Sequence, residues 1–156
     1  MILKHDIRLA TTDDATRIGE MSRDLIEHGL GWRWTPASIR RCIGDAATNV
    51  AVATTDRGSV VGFAVMQYKD DEAHLVLLAV DPAFRRRGIA TALIAWLEEA
   101  ALTAGIGMVY VEARAAKADT RAFYRKLGYF EVQALRRYYS GIEDAVRLAK
   151  DLWAGK

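Results

Sequence analysis

Residues 74–80 read His-Leu-Val-Leu-Leu-Ala-Val, and the passage from this run into the next helix constrains the fold more than any other stretch of the chain. The run is apolar on both faces, as a strand in the middle of a sheet must be. Pro82 has no N–H to give to a ladder, so the strand stops there. An arginine-rich loop comes next. It leads into a helical pattern over 89–102, with Leu93, Trp96, Leu97 and Ala100 on one stripe. Gly105 and Gly107 close that helix, and residues 108–113 (MVYVEA) form a second buried strand. A strand, a helix and a strand in this order make a crossover unit of an α/β fold.

The flanking segments fit around that unit. Residues 6–10 are strand-like, and Thr11 to Asp14 offer N-cap chemistry for a helix carrying Ile18, Met21, Leu25 and Ile26. That helix ends near Gly29, and a loop with two indoles, Trp32 and Trp34, leads to a second helix opened by Pro36. Residues 50–54 and 60–68 are strands separated by Asp56-Arg57-Gly58, and Asp70-Asp71 turns the chain into the central strand. A short helix over 120–127 closes at Gly128, residues 129–134 return as a strand, and 145–152 read as a last strand or a short helix. The expectation is a single α/β domain over 1–156, a mixed central sheet of six to seven strands flanked by about four helices.

Composition narrows the function. A net charge of +2 across 156 residues gives no basic face of the kind nucleic acid requires. The N-terminal apolar run is short and broken by charge, and no segment approaches the ~18 uncharged residues of a membrane span. Cys42 is the one cysteine, so no internal disulfide forms, and a cytoplasmic location is expected. His5, His28 and His74 share no metal-ligand spacing with one another or with Cys42, so no metal is expected. Either a monomer or a homodimer is compatible with these features.

The loop Arg85-Arg86-Arg87-Gly88-Ile89-Ala90 joins the central strand to the long helix. The first N–H groups of a helix have no internal partner, and the helix dipole puts partial positive charge there, so an anion can bind. Small side chains at Gly88 and Ala90 let a pyrophosphate approach the backbone. A solvated basic turn is the other reading of the same residues. Neither GxxxxGK[ST] nor GxGxxG occurs, which disfavours a nucleotide triphosphatase and a dinucleotide oxidoreductase.

Arg85-x-x-Gly88-x-Ala90 at such a junction resembles the coenzyme A signature Gln/Arg-x-x-Gly-x-Gly/Ala of the GNAT N-acetyltransferases. The stretch Glu112-Ala113-Arg114-Ala115-Ala116-Lys117, with Phe123-Tyr124 and Leu127-Gly128-Tyr129 after it, resembles a second block of that superfamily. Tyr138-Tyr139, followed by Glu143-Asp144-Ala145, is similar to a segment of its N-terminal protein acetyltransferases, and Trp34-Thr35 resembles their Trp-Ser. The resemblance implies a GNAT fold and acetyl-CoA as co-substrate. It places Leu78, Ala79 and Val80 on the pantetheine and thioester, and Arg85, Arg86, Arg87, Gly88, Ile89, Ala90 and Thr91 around the pyrophosphate. Lys117 stands where the pattern has an Asn that touches the cofactor, and a cation does not reproduce an amide's paired donor and acceptor.

The chemistry required is transfer from a thioester to an amine. An α-amine with a reference pKa of about 7.7–8.0 is largely protonated at neutral pH, so a base must take its proton. Glu112 is the candidate base, on one strand face between Tyr110 and Arg114. A structural ion pair with Arg114 or another arginine is its alternative role. Tyr124, by family position, is the candidate acid for the leaving thiolate. Tyr138 and Tyr139 are expected to flank the acceptor, while Trp32 and Trp34 either wall its groove or cap the core. The leading expectation is acetylation of a peptide or protein N-terminal amine. The alternatives are a GNAT acting on a small amine (a polyamine, an amino acid or an antibiotic) and a coenzyme-A-binding module without turnover.

Overall fold

The computed structural model describes residues 6–154; His5 and the start of the N-terminal run lie outside them. In chain order the described elements are β1 (Asp6–Leu9), α1 (Ala15–Met21), α2 (Pro36–Ile43), β2 (Thr48–Thr54), β3 (Val60–Lys69), β4 (Glu72–Val80), α3 (Ile89–Thr103), β5 (Met108–Arg114), α4 (Ala118–Lys126), β6 (Phe130–Tyr139) and β7 (Glu143–Asp151). This is the order expected from the sequence. The segment read as a last strand or a short helix is a strand, Glu143–Asp151, and Tyr138 lies at the end of β6 before a tight turn into it. The expected strand ended at Ala134, but pairing with β7 carries β6 on to Tyr139.

One seven-stranded sheet runs β1-β2-β3-β4-β5-β7-β6. β4 and β5 are parallel, and every other neighbouring pair is antiparallel. Helix α3 supplies the crossover that a parallel pair needs. Each face of the sheet carries its own core. Leu93, Ile94 and Leu97 of α3 and Tyr124 of α4 bury against Ala64, Leu75, Val109, Val111 and Ala113. Ile18, Met21 and Ile39 bury against Val52, Phe63, Val65 and Leu77 on the other face. Leu93 and Leu97 are fully buried, and truncating such a leucine to alanine costs roughly 2–5 kcal/mol.

Two local features shape the functional region. After Met21 the first helix widens into a π-type turn over Ser22–Ile26 and ends at Glu27, two residues before the left-handed Gly29. On β5, Val109, Val111 and Ala113 are buried on the α3 face, while Tyr110, Glu112 and Arg114 are half-buried on the other. Among the described residues no helix is long and apolar enough to cross a membrane.

Candidate active site

The sheet divides at its centre. Parallel pairing of β4 with β5 runs from Glu72–Met108 to Leu75–Val111 and goes no further. Yet β4 stays on β3 as far as Val80, and β5 stays on β7 as far as Arg114. The cause is a bulge. Val65 pairs with Leu77 and Met66 with Leu75, so Val76 is left over and β4 bends away at that point. The result is a wedge. One wall is the β4 edge from Val76 to Val80, whose outward backbone groups have no strand partner. Half-buried Leu78 and buried Ala79 and Val80 lie along that wall. Shielded N–H and C=O groups need hydrogen-bond partners, so this edge suits an extended ligand with amides of its own.

The wedge opens onto the basic loop. Asp81 caps the Pro82–Phe84 turn by accepting from the Ala83 N–H at 2.9 Å, and Arg17 of α1 donates to the other Asp81 oxygen at 2.9 Å. Arg85 reaches back to the Val80 carbonyl at 3.4 Å, and the Arg87 guanidinium stacks 5.0 Å from the Phe84 ring centroid. Arg86 has φ +63, a left-handed conformation costing a non-glycine residue roughly 1–2 kcal/mol. Gly88 has φ +78 and caps α3 without any side-chain hydrogen bond. A Cβ at Gly88 would meet nothing within 4 Å, so within the protein glycine is required by its backbone angle, and the space beside its backbone is open. Buried Ile89 anchors the helix start, Ala90 is half-buried, and Thr91 is exposed. The N–H groups of residues 88–91 therefore point outward with no helical partner, in positive potential from three exposed arginines.

Glu112 stands one residue past the last parallel pair, where the strands separate. Its side chain is only 7% exposed. Arg147 of β7, its antiparallel register partner, donates Nε–H to Oε2 at 2.7 Å. Oε1 is hydrogen-bonded to His74 Nε2 and accepts from the Tyr138 hydroxyl at 3.3 Å. Burial pushes the Glu112 pKa up, but the hydrogen bonds and charges of His74 and Arg147 outweigh it. The carboxyl is held below the usual glutamate range. Arg114 is not its partner. That guanidinium turns away to Glu143 at 3.0 Å and to the carbonyls of Ile26 at 2.7 Å and His28 at 3.2 Å. Arg147 and His74 are the neighbours that sequence reasoning missed. The visible trace of Arg147 is a lone arginine between the apolar residues of 145–149; His74 becomes a neighbour only through the β4–β5 register.

Tyr124 approaches from the opposite face of the sheet. It is 5% exposed, packed edge-on between Phe123 and Tyr129, with ring centroids at 5.2 Å and 5.7 Å. Among the described residues its hydroxyl has no hydrogen-bond partner. Burial raises its pKa, and the nearby Tyr139 and Glu112 add to that rise. A buried phenol left unpaired costs roughly 1–3 kcal/mol, so the hydroxyl too asks for a ligand. The base and acid candidates lie on opposite sheet faces, and only where the sheet is open can both reach one atom.

Two loops frame the Glu112 side. Buried Glu27 accepts from the N–H groups of Arg33 at 2.6 Å and Trp34 at 3.2 Å, fixing the loop between α1 and α2. Trp34 packs against the α1–α2 core, and the Trp32 indole donates to the Gly19 carbonyl at 3.1 Å. Across from them, Tyr138 and Tyr139 stack edge to face at 5.1 Å, and the Arg114 guanidinium lies 5.8 Å from the Tyr139 ring. Arg114 thus ties the α1–α2 loop to the β6–β7 hairpin. Lys117 is exposed at the N-cap of α4.

A wedge with a free backbone edge, a cluster of free amides in positive potential, and an unpaired phenol together fit a thioester on an anionic, amide-bearing arm. Comparison with known proteins agrees. Residues 18–129 match the model of the Acetyltransferase (GNAT) family. The chain belongs to the GNAT acetyltransferases. This GNAT chain is 37% identical over 119 residues to the [Ribosomal protein bS18]-alanine N-acetyltransferase of Salmonella typhimurium, covering 74% of this chain and 79% of that protein. Its fold matches the crystal structure of the ribosomal-protein-S18-alanine N-acetyltransferase of Escherichia coli with a TM-score of 0.80 at 26% identity, covering 98% and 97% of the two chains. PaiA N-acetyltransferase of Thermoplasma acidophilum, solved in complex with coenzyme A, shares the fold alone, with a TM-score of 0.81 at 16% identity over 96% and 99% of the chains. As a GNAT the protein is an acyltransferase, of a family whose acyl donor is acetyl-CoA.

Proposed function

We propose that this GNAT transfers the acetyl group of acetyl-CoA to the α-amine at the N-terminus of a peptide or protein, with Glu112 as proton acceptor and Tyr124 as proton donor. The observation that carries this reading is an ionised Glu112 with a nearly buried side chain where β4 and β5 part, and on the opposite face a buried Tyr124 hydroxyl with no partner among the described residues. Acetyl-CoA supplies the activated acyl thioester. The free amides of residues 88–91 hold its diphosphate, with Arg85, Arg86 and Arg87 around them. The β4 edge at Leu78, Ala79 and Val80 pairs with its pantetheine arm, and an N–H of the same edge meets the charge that grows on the thioester oxygen. Lys117, exposed at the start of α4, is assigned to the cofactor by its position in the family pattern alone.

Glu112 has two further tasks. An ionised carboxylate in a dry site attracts the incoming ammonium, and its remaining lone pair takes a proton from the amine directly or through one water. Tyr124 gives its proton to the departing sulfur. The acceptor enters between the two loops that Arg114 ties together, past Tyr138 and Tyr139 on one side and the Trp32–Trp34 loop on the other. The relatives are named as N-acetyltransferases of an alanine in ribosomal protein bS18, which supports a peptide acceptor for a chain this similar.

The test is thiol release from acetyl-CoA across free peptides, N-terminally blocked peptides and a panel of polyamines, amino acids and aminoglycosides. Turnover of free but not blocked peptides is the expected result. Turnover confined to small amines would overturn the peptide reading. Acetyl-CoA binding with no thiol release on any amine would leave a non-catalytic module.

A further inference from the structure

The acceptor is proposed to enter between the α1–α2 loop and the β6–β7 hairpin, and among the described residues no backbone hydrogen bond joins those two segments. A groove between unjoined walls has no fixed width, and an acceptor would have to order them as it binds. One side chain bridges the gap. Arg114 is the last residue of β5, on the same strand face as Glu112, and its side chain is 19% exposed. Its Nη2 donates to the carbonyls of Ile26 at 2.7 Å and His28 at 3.2 Å, and its Nη1 donates to Glu143 Oε1 at 3.0 Å. Glu143 opens β7 opposite Tyr139, whose ring lies 5.8 Å from the same guanidinium.

We infer that Arg114 is a positioning residue of the acceptor groove, whose guanidinium spans the two walls and sets the separation at which a peptide N-terminus is received. This role presupposes the peptide acceptor proposed above. The two carbonyls that Arg114 holds flank Glu27 in the chain. They lie at the end of the π-type turn, where backbone acceptors have no helical partner, and the guanidinium satisfies both. Glu27 carries the hold further along the loop. Its buried carboxylate accepts from Ser22 Oγ at 2.8 Å and from the N–H groups of Arg33 at 2.6 Å and Trp34 at 3.2 Å. Linked contacts therefore run from the hairpin through Arg114 and the segment around Glu27 to the far end of the loop. On the hairpin side, the Asp144 side chain accepts from the Arg137 N–H at 2.8 Å and its carbonyl from the Ala115 N–H at 2.9 Å, which fixes the chain beside Glu143.

The shape of the side chain matters. A guanidinium is planar and carries its donors on separate nitrogens aimed in different directions, so it can hold groups on two elements at once. A lysine presents its three donors at a single point and does not bridge both walls. Strand β5 carries Glu112 and Arg114 two residues apart, about 6–7 Å along the strand. The carboxylate and the groove width are thus set by one rigid element, and an acceptor that fits between the walls arrives in line with Glu112. Among the described residues the Arg114 side chain makes no hydrogen bond to residues 78–80 or 88–91, where the donor is proposed to lie. Loosening Arg114 should weaken the hold on the acceptor and spare the donor.

Thiol release gives KM for a free peptide, KM for acetyl-CoA and kcat for the wild type, Arg114→Lys, Arg114→Met and Glu143→Ala. Backbone amide hydrogen exchange at Arg33 and Trp34 is followed in the same four proteins, with melting temperature as the check on folding. Both Arg114 variants are expected to raise KM for the peptide by about 10-fold, with kcat and KM for acetyl-CoA nearly unchanged. They should also speed exchange at Arg33 and Trp34 by at least about 10-fold, although neither amide touches Arg114. Glu143→Ala cuts the hairpin side alone. It should raise KM for the peptide while exchange at the two amides stays at the wild-type rate. Arg114 variants with the wild-type KM for the peptide overturn the positioning role, and so does unchanged exchange at Arg33 and Trp34. An equal rise in KM for both substrates overturns it too, because Arg114 would then support the fold in general. If neither Arg114 variant folds, Glu143→Ala decides: a rise in KM confined to the peptide supports the role, and no such rise overturns it. A wild type without turnover on any free peptide overturns the peptide reading itself, before any variant is compared. A wild type that turns peptides over, matched by its Arg114 variants, overturns the positioning role alone.

Discussion

The loop proposed to receive the diphosphate is made of backbone, and the end proposed to receive the amine is made of side chains. At residues 88–91 the working groups are amides whose direction is set by two left-handed residues and the start of α3. Around Glu112 the working groups come from β4, β5, β6 and β7, held by hydrogen bonds across strands. The first kind of site tolerates changes of side chain and fails when a dihedral changes. The second fails atom by atom. Substitutions at the two ends should therefore differ in which constant they move.

The largest effect belongs to Glu112→Gln, which keeps the shape and removes the proton acceptor. A loss of about 10²–10⁴-fold in kcat is expected, with little change in KM for acetyl-CoA. Steady-state thiol release checks it, and a KM effect alone would place Glu112 in the structural role. Tyr124→Phe comes next. We expect about a 10²-fold loss in kcat, together with a melting temperature equal to or above that of the wild type, because the change removes an unpaired buried hydroxyl. A fall in both would make Tyr124 a packing residue. Gly88→Val should act at the other end. Forcing a Cβ residue to φ +78 costs roughly 1–2 kcal/mol, or about 5- to 30-fold in KM for acetyl-CoA, with kcat nearly unchanged.

The smallest effect concerns stability. Glu112 is ionised more readily in the folded chain than in the unfolded one, since its carboxyl is held below the ordinary range. As pH falls through about 4.3 the unfolded chain takes up that proton first. The stability that Glu112 contributes is thus present at neutral pH and lost towards acid. Melting temperatures of wild type and Glu112→Gln should differ most near neutrality and converge below about pH 4. A gap that widens in acid would contradict the ion-paired state of Glu112.

The same contrast explains what the sequence made legible. A strand ended by Pro82, a loop of three arginines and a glycine, and a helix patterned from Ile89 are contiguous, so one reading frame contains the whole proposed phosphate site. The alternation of 108–114 likewise placed Tyr110, Glu112 and Arg114 on one face, as the structure has them. The partner of Glu112 was not legible in the same way. Arg114 is two residues away, yet it reaches across to the α1–α2 loop and Glu143, while Arg147 arrives 35 residues later through strand register. The bulge at Val76 was hidden too. A run apolar on both faces carries no break in alternation to reveal an extra residue, and without that residue the wedge does not open. The length of β6 was underread for a related reason: it is an exposed edge strand held by β7 alone, so burial wrote no pattern into it.

The place of β7 in the sheet has a consequence for timing. It leaves the ribosome after β5 and β6, yet it is inserted between them. Until it emerges, β6 has no strand to lie against, the β5 edge is bare, and Arg147 is missing from beside Glu112. With synthesis adding about 5–20 residues per second, a nascent chain already holding its phosphate loop waits seconds for the strand that completes its carboxylate site. Ability to bind the donor should precede ability to transfer from it, so a chain stalled before β7 would be a holder of coenzyme A before it was an enzyme.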